Sequence, residues 1–172
     1  MIKTILFVCT GNTCRSVMAE GIFKKLLKQN EAKKNSYSIL SAGISALSGM
    51  SPTTEAISAA SEQGVDISQY KALQLREGLV TKADLILVMS HRQKDYIQRK
   101  FPFVQNKLFL IKKYAQKGEL KNNQINDENY EIVDPIGKSL DFYRIVAREL
   151  RINLEKIANI INKANNKHGG DI

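Results

Sequence analysis

The feature that most constrains the fold is an abrupt change of hydrophobic period within the first 28 residues. Residues 2–8 end in the continuous apolar run Ile5 to Val8, which is typical of a strand covered on both faces. From Ser16 onward, apolar side chains recur at four-residue steps, as in a helix packed against a core, at Met18, Ile22 and Leu26. A buried strand joined to a helix by one short turn predicts a parallel α/β sheet.

The alternation of strand-like and helix-like segments continues along the chain. Further strands are predicted at 37–40, 83–89 and 107–111, and further helices at 52–63, 91–99 and 140–164. Residues 41–43 are interpreted as an exit turn, and Ser139 as the N-cap of the last helix. We expect a single α/β domain over residues 1–164, with an open parallel sheet of about four strands and helices on both faces. The polar residues 162–172 are predicted to fray, with 165–172 as a flexible tail.

Charge and polarity restrict the classes of partner. Residues 117–130 have low hydrophobicity and many turn formers, and are predicted to form a surface excursion. The 26 Lys and Arg against 17 Asp and Glu give a net charge of +9, which favours anionic partners. The basic residues lack a recognition motif or a cluster of stacking aromatics, so nucleic acid is not expected. The sequence has no signal-peptide pattern and no apolar run long enough to span a membrane, so we expect a cytoplasmic protein.

The first strand-to-helix turn carries the reactive residues. It reads Cys9-Thr10-Gly11-Asn12-Thr13-Cys14-Arg15-Ser16, and it holds both cysteines of the chain. Ligands of open α/β sheets bind beyond the carboxyl ends of the strands, where this turn lies. A loop that closes on a helix N-terminus can point several backbone N–H groups at a phosphate. The turn is therefore predicted to bind a phosphate group.

Particular side chains of the turn suit nucleophilic chemistry. The guanidinium of Arg15 can pair with two phosphate oxygens, and the same positive field favours the thiolate form of Cys9. Ser16 can offer its hydroxyl to the Cys9 sulfur, while Gly11 and Asn12 tolerate the left-handed backbone that a tight loop needs. The alternative is a buried, inert Cys9 with Arg15 as a surface charge.

Transfer of a phosphoryl group to sulfur also requires a proton for the departing group. The best candidate donor is Asp134, because Pro135 and Gly137 indicate a shaped turn just before the long final helix. From position alone, a solvated turn aspartate or a helix-capping residue is an equally good interpretation.

This constellation resembles the low-molecular-weight protein tyrosine phosphatase family over nearly the whole chain. The motifs that carry the resemblance are Cys9 to Ser16 followed by Met18-Ala19-Glu20, then Ser41-Ala42-Gly43, Gly64-Val65-Asp66-Ile67-Ser68, residues 83–89 and Asp134-Pro135. The resemblance implies phosphorylated proteins as substrates, phosphate or vanadate as inhibitors, and neither a metal nor a cofactor.

The resemblance also assigns roles to residues. It implies Cys9 as the nucleophile that forms a phosphocysteine, Arg15 as the phosphate clamp, and Asp134 as general acid and then as the base that activates water. It implies a phosphate-binding loop formed by Thr10, Gly11, Asn12, Thr13, Cys14 and Ser16. Cys14 matches a second cysteine able to trap oxidised Cys9 as a reversible disulfide.

Two departures from the tyrosine-specific pattern bear on the substrate. Thr13 stands where those members often have a bulky aliphatic residue, and Ile136-Gly137 follow Asp134-Pro135 where they often have aromatics. Both features look more like the bacterial protein-arginine-phosphatase branch, so phosphoarginine is favoured over phosphotyrosine. Two alternatives stay open: an arsenate reductase, which needs cysteines beyond Cys14 for its disulfide relay, and a non-catalytic phosphate-binding module.

Overall fold

The computed structural model describes residues 2–28, 37–117 and 130–167. Four strands form one sheet, namely β1 (Thr4–Cys9), β2 (Ser38–Gly43), β3 (Leu85–Val88) and β4 (Leu108–Leu110). Their order in the sheet is β2-β1-β3-β4, and every neighbouring pair is parallel. The predicted open parallel sheet of four strands is therefore confirmed. Because β1 lies at its centre, the loop that follows Cys9 opens at the middle of the carboxyl edge.

Six helices cover the two faces of the sheet among the described residues. They are α1 (Arg15–Lys28), α2 (Thr54–Glu62), α3 (Glu77–Lys82), α4 (His91–Lys100), α5 (Ile111–Ala115) and α6 (Leu140–Lys167), and a 3-10 turn spans Pro102–Lys107. The alternation of side chains along β1 explains the two layers. Ile5 and Phe7 face a core shared with α1, α2, α5 and α6, whereas Leu6 and Val8 face a core shared with α3 and α4. None of the described helices is both long and apolar enough to cross a bilayer.

The second strand differs from the prediction at its carboxyl end. Residues 41–43 were expected to form an exit turn, but they continue β2, and Gly43 pairs with Cys9. A Cβ atom on Gly43 would lie 2.5 Å from the carbonyl oxygen of Thr10 and 2.9 Å from the backbone nitrogen of Asn12. The small residues thus mark a close approach of two backbones, because a larger side chain would push the loop after β1 away.

The chain also differs from the prediction in its polar segments. The expected fraying from residue 162 is wrong as far as Lys167, because α6 continues to that residue. Asn165 explains the extension: its side chain accepts a hydrogen bond from the Ile2 N–H at 3.0 Å and donates to the Ile2 carbonyl at 2.8 Å. Tyr130 is buried, contrary to its assignment to a surface excursion. Residues 118–129 of that excursion, and 168–172 of the predicted tail, lie outside the described residues.

The short helices α3 and α5 were not predicted. They contain six and five residues, so each offers too few positions for a hydrophobic period to be recognised. Both cover the sheet: Val80 of α3 lies in the core with Leu6 and Val8, and Ile111 of α5 lies in the core with Ile5 and Phe7.

Candidate active site

A pocket of about 190 Å³ opens at the carboxyl end of β1. It is lined by residues from two parts of the chain, namely Cys9, Thr10, Gly11, Thr13, Cys14, Arg15, Asp134 and Ile136. The structure thus brings the predicted turn and the predicted acid, which are more than one hundred positions apart in sequence, to one opening. The pocket lies where ligands of parallel α/β sheets bind.

Cys9 is the last residue of β1, and its thiol group is buried at the floor of this pocket. The Cys9 Sγ atom lies 3.0 Å from Ser16 Oγ and accepts the backbone N–H of Asn12 at 3.2 Å. Helix α1 begins at Arg15, so the partial positive charge of its N-terminus lies beside the same sulfur. These donors and this field favour negative charge on the sulfur.

Asn12 determines the shape of the loop. It is the only described non-glycine residue with a positive φ, at 55°. Its Nδ2 donates to Ser16 Oγ at 2.8 Å and to Ser41 Oγ at 2.9 Å, and its Oδ1 accepts the Leu73 N–H at 2.8 Å. The expected left-handed conformation is found at Asn12 but not at Gly11. The side chain of Asn12 stabilises that conformation, because three of its hydrogen bonds are buried or nearly so.

Arg15 is buried beside Cys9, so the interpretation of Arg15 as a surface charge is wrong. Its NH1 group donates to the carbonyl oxygen of Ile132 at 3.1 Å, and its NH2 group forms an ion pair with Asp134. The Nε–H group is buried and has no hydrogen-bond partner among the described residues. A buried guanidinium N–H without a partner is costly, and a phosphate oxygen in the pocket would satisfy it.

Asp134 reaches the pocket from the segment that precedes α6. Its side chain is 44% exposed, and its Oδ2 atom pairs with Arg15 while Oδ1 accepts the Ile136 N–H at 3.2 Å. Gly137 continues this turn with a φ of 73°, a conformation that a side chain would strain. The carboxylate therefore shapes a turn and also lies at the mouth of the pocket, and its role as a proton donor stays a prediction.

The Cys14 side chain is buried in the core that α1, α2, α5 and α6 share with one face of the sheet. Its Sγ atom is 3.5 Å from the Tyr143 hydroxyl and 3.6 Å from Thr53 Oγ1. Burial, together with the hydrogen bond to Cys14, raises the pKa of Tyr143 to about 12. The Tyr143 hydroxyl therefore stays protonated at neutral pH and can donate a hydrogen bond to the sulfur.

Several supporting residues escaped the sequence analysis. The clearest is Gln93, a buried side chain on α4 whose Oε1 accepts the Met89 N–H at 2.9 Å and whose Nε2 donates to Thr10 Oγ1 at 3.2 Å. Its only sequence signal is a polar residue on the apolar side of a helix, between Ser90 and Ile97. Within the described ranges, no group of three His, Cys, Asp or Glu side chains is arranged to hold a metal ion.

Comparisons of the sequence and of the structure with known proteins indicate the same family. The chain matches the low molecular weight phosphotyrosine protein phosphatase family over residues 4–167. It is 40% identical over 140 residues to the probable low molecular weight protein-tyrosine-phosphatase EpsP of Ralstonia nicotianae, which covers 81% of this chain and 83% of that relative. It is 33% identical over 159 residues to the protein-arginine-phosphatase of Bacillus subtilis, which covers 92% of this chain and 97% of that relative.

A solved structure shares the whole architecture. It is YwlE arginine phosphatase, as a cysteine-to-serine mutant with a phosphorylated active site serine. The two chains superpose with a TM-score of 0.80 at 32% sequence identity, over 93% of this chain and 96% of that chain.

Proposed function

Because the chain belongs to the low molecular weight phosphotyrosine protein phosphatase family, we propose that it hydrolyses phosphorylated protein side chains through a phosphocysteine at Cys9, with phosphoarginine as its preferred substrate. Membership of the family makes it a cysteine-dependent phosphatase. We place its activity in the cytoplasm, where thiols stay reduced. Inorganic phosphate and vanadate, which present the same oxygens as the substrate, are the expected inhibitors.

The observation that carries the mechanism is that the hydrogen-bonded thiol of Cys9 and the buried guanidinium of Arg15 line the same pocket. The Cys9 thiolate attacks phosphorus, so a P–S bond forms as the bond to the substrate oxygen or nitrogen breaks. Asp134 gives its proton to that departing atom. Arg15 and the loop N–H groups hold the phosphoryl oxygens, whose charge increases in the transition state.

The second step releases phosphate and regenerates the enzyme. A water molecule attacks the phosphocysteine, and Asp134 accepts a proton from that water. The P–S bond breaks, which returns the thiolate of Cys9 and frees inorganic phosphate. In the structure the Asp134 carboxylate is paired with Arg15. The incoming phosphate displaces it from the guanidinium, and the freed carboxylate takes up a proton from solvent, so that Asp134 faces the departing atom in its acid form.

The preference for phosphoarginine rests on the walls of the pocket. Thr13 and Ile136 line the opening, and within the part of the chain that the structure describes none of the lining residues is aromatic. A phenyl ring gains most from stacking against aromatic side chains, which this pocket does not offer. The Thr13 hydroxyl suits a planar, polar phosphoguanidinium, whose N–H groups need hydrogen-bond acceptors. The match to the protein-arginine-phosphatase of Bacillus subtilis, over 92% of this chain, supports the same substrate.

A panel of phosphopeptides that differ only in the phosphorylated residue tests the substrate. We expect a higher kcat/KM for phosphoarginine peptides than for phosphotyrosine peptides. Thr13→Ile should move the ratio of the two kcat/KM values about tenfold toward phosphotyrosine, since small changes in a pocket wall discriminate by that order. Thr81→Ile, at an exposed position outside the pocket, is the matched control. Equal or faster turnover of phosphotyrosine by the unmodified protein would overturn the preference.

The alternative functions predict other results in the same assays. A non-catalytic phosphate-binding module would not hydrolyse a simple aryl phosphate. An arsenate reductase would turn over arsenate in the presence of a protein thiol reductant. The chain has only Cys9 and Cys14, so a relay through a third cysteine of its own is impossible.

A redox role for Cys14 is a separate part of the proposal. Peroxide oxidises the Cys9 thiolate to a sulfenic acid and is itself reduced to water, and the Cys14 thiol then condenses with that group to give a disulfide and a second water. A thiol reductant cleaves the disulfide and restores Cys9. We expect Cys14→Ala to recover less activity than the unmodified protein after peroxide followed by reductant. Equal recovery would show that Cys14 does not protect Cys9.

A further inference from the structure

Glu20 is a buried carboxylate that the reaction described above does not use. It lies in the middle of α1, is 7% exposed, and does not line the catalytic pocket. A carboxylate taken out of water destabilises the fold unless charges and hydrogen bonds compensate it. The partners of Glu20 therefore indicate why a charge is kept there.

On its outer side, Glu20 contacts the half-buried Lys24, which in turn contacts Tyr70. Its Oε1 atom accepts a hydrogen bond from Lys24 Nζ at 2.6 Å, and the same nitrogen lies 3.4 Å from the Tyr70 hydroxyl. Partial burial acts to lower the pKa of Lys24, but the hydrogen bond to Glu20 and its charge outweigh burial and raise that pKa above its ordinary value. Lys24 thus stays protonated and compensates the buried carboxylate.

On its inner side, Glu20 begins a chain of hydrogen bonds that ends at the nucleophile. Its Oε2 atom accepts from Ser41 Oγ at 2.5 Å, and Ser41 Oγ accepts from Asn12 Nδ2 at 2.9 Å. Asn12 Nδ2 also donates to Ser16 Oγ at 2.8 Å, which lies 3.0 Å from Cys9 Sγ. All five residues of this chain, from Glu20 to Cys9, are buried.

The chemistry of the groups gives this chain one direction. A carboxylate can only accept, so the single hydroxyl hydrogen of Ser41 points to Glu20 and its lone pairs face Asn12. The orientation of the Asn12 amide agrees, because its Oδ1 accepts the Leu73 N–H at 2.8 Å. Ser16 then accepts from Asn12, which leaves its own hydroxyl hydrogen to donate to the Cys9 sulfur.

We propose that Glu20 is a positioning residue for phosphoryl transfer, whose carboxylate fixes the direction of the Ser41–Asn12–Ser16 chain so that Ser16 donates to the Cys9 thiolate. The inference rests on the proposed role of Cys9 as nucleophile. A hydrogen bond to an ionised sulfur is stronger than one to a neutral thiol, and a chain buried from water strengthens it further. Glu20 therefore stabilises the reactive form of Cys9 without contacting substrate.

The outer end of this series of hydrogen bonds, at Lys24, lies in a second cleft that is separate from the catalytic pocket. This cleft has a volume of about 420 Å³ and its lining includes Lys24, Val65 and Tyr70. Lys24 can therefore be changed without altering any member of the buried chain. Removal of the Lys24 charge should leave the Glu20 carboxylate less well compensated. It should therefore slow Cys9 alkylation in the same direction as a change of Glu20, but by less.

The test measures Cys9 alkylation by iodoacetate over a range of pH, together with steady-state hydrolysis of an aryl phosphate. Glu20→Gln keeps the shape of the side chain but presents an amide that can donate to Ser41, so the direction of the chain is no longer fixed. We expect alkylation below neutral pH to slow about five- to tenfold and its pH midpoint to rise, as for a lost hydrogen bond to a charged group. The value of kcat should fall by a similar factor, with a smaller change in KM.

Two further variants and a control keep the inference falsifiable. Ser41→Ala breaks the chain and should slow alkylation as Glu20→Gln does, whereas Lys24→Met should slow it less. Glu155→Gln is the matched control, because Glu155 also pairs with a basic residue on the same helix, Arg151, at a four-residue spacing. It should leave alkylation and hydrolysis unchanged. If Glu20→Gln does not fold, as judged by circular dichroism, the Ser41 and Lys24 variants carry the test.

The possible results separate the two proposals. Rapid alkylation of the unmodified protein together with unchanged rates in the folded Glu20 variant, or in both other variants, would overturn the role of Glu20 alone. Slow alkylation of the unmodified protein at neutral pH, with no hydrolysis of the aryl phosphate, would overturn the proposed role of Cys9 itself. A change in KM without any shift of the alkylation profile would show that Glu20 only supports the fold.

Discussion

The two halves of the active site are held in opposite ways. In loop 9–16, Cys9, Asn12 and Ser16 are buried and are bonded to one another by hydrogen bonds of 2.8 to 3.2 Å. Segment 130–137, which supplies Asp134, is anchored by the buried Tyr130 and Ile132 but leaves Val133 55% exposed and Ile136 57% exposed. Its carboxylate is held by the ion pair with Arg15 and by the turn at Ile136. The nucleophile side of the site is thus buried in the core, whereas the Asp134 carboxylate lies at the protein surface.

This difference corresponds to the two tasks of the proposed reaction. The nucleophile and the phosphate-binding groups act best when they are arranged before the substrate arrives, because no reorganisation is then needed in the transition state. The proton donor must instead approach the departing atom of a protein side chain, whose size varies between substrates. An exposed segment can adjust to it. Changes in the groups of loop 9–16 that attack or hold the phosphoryl group, such as Cys9 and Arg15, should therefore affect every substrate alike, whereas changes at Asp134 should depend on the leaving group.

The largest expected effect is that of Cys9→Ser. Hydrolysis of an aryl phosphate should fall by about 10⁴-fold or more, as for loss of a catalytic nucleophile, while inorganic phosphate still binds to Arg15 and the loop amides. Steady-state kinetics and calorimetric titration with phosphate measure the two properties. Hydrolysis within tenfold of the unmodified protein would show that the reaction does not pass through this sulfur.

Asp134→Asn should have the next largest effect, and one that depends on the substrate. For a leaving group that needs a proton, we expect kcat to fall by about 10² to 10⁴-fold, the usual contribution of general acid catalysis. For an aryl phosphate with an acidic leaving group, the first step should be affected much less. Single-turnover measurements on both substrates give the comparison, with the exposed Asp141→Asn as the control. Equal losses on both substrates would contradict a role for Asp134 in proton donation.

The same contrast explains how much the sequence could predict. Loop 9–16 was predictable because its strand, its reactive residues and its helix are contiguous, so local period and residue chemistry define it. Asp134 lies 119 positions from Arg15, and local pattern alone did not distinguish it from an ordinary turn residue. Only the resemblance to a family gave it a role. Ser41 and Gln93 were missed because their partners, Asn12 and Thr10, come from other elements that pack against them only in the folded protein.

The smallest expected effects are on stability, and they test the contrast directly. Asn12→Ala removes three side-chain hydrogen bonds and places alanine at a φ of 55°, so we expect a loss of about 3 kcal/mol in the free energy of unfolding. Asn12→Gly removes the same hydrogen bonds without the penalty of the left-handed conformation, so its loss should be about 1 kcal/mol smaller. Ile136→Ala should change stability by no more than about 0.5 kcal/mol, since its side chain is mostly exposed.

Urea denaturation of the three variants measures these differences. The order of the two Asn12 variants separates the backbone contribution from the hydrogen bonds: if Gly were no more stable than Ala, the φ of Asn12 would not limit the choice of residue. An Ile136→Ala loss as large as that of Asn12→Ala would mean that segment 130–137 is packed as firmly as loop 9–16. Proton donation would then come from a rigid group, and the dependence of Asp134→Asn on the leaving group would have to be chemical alone.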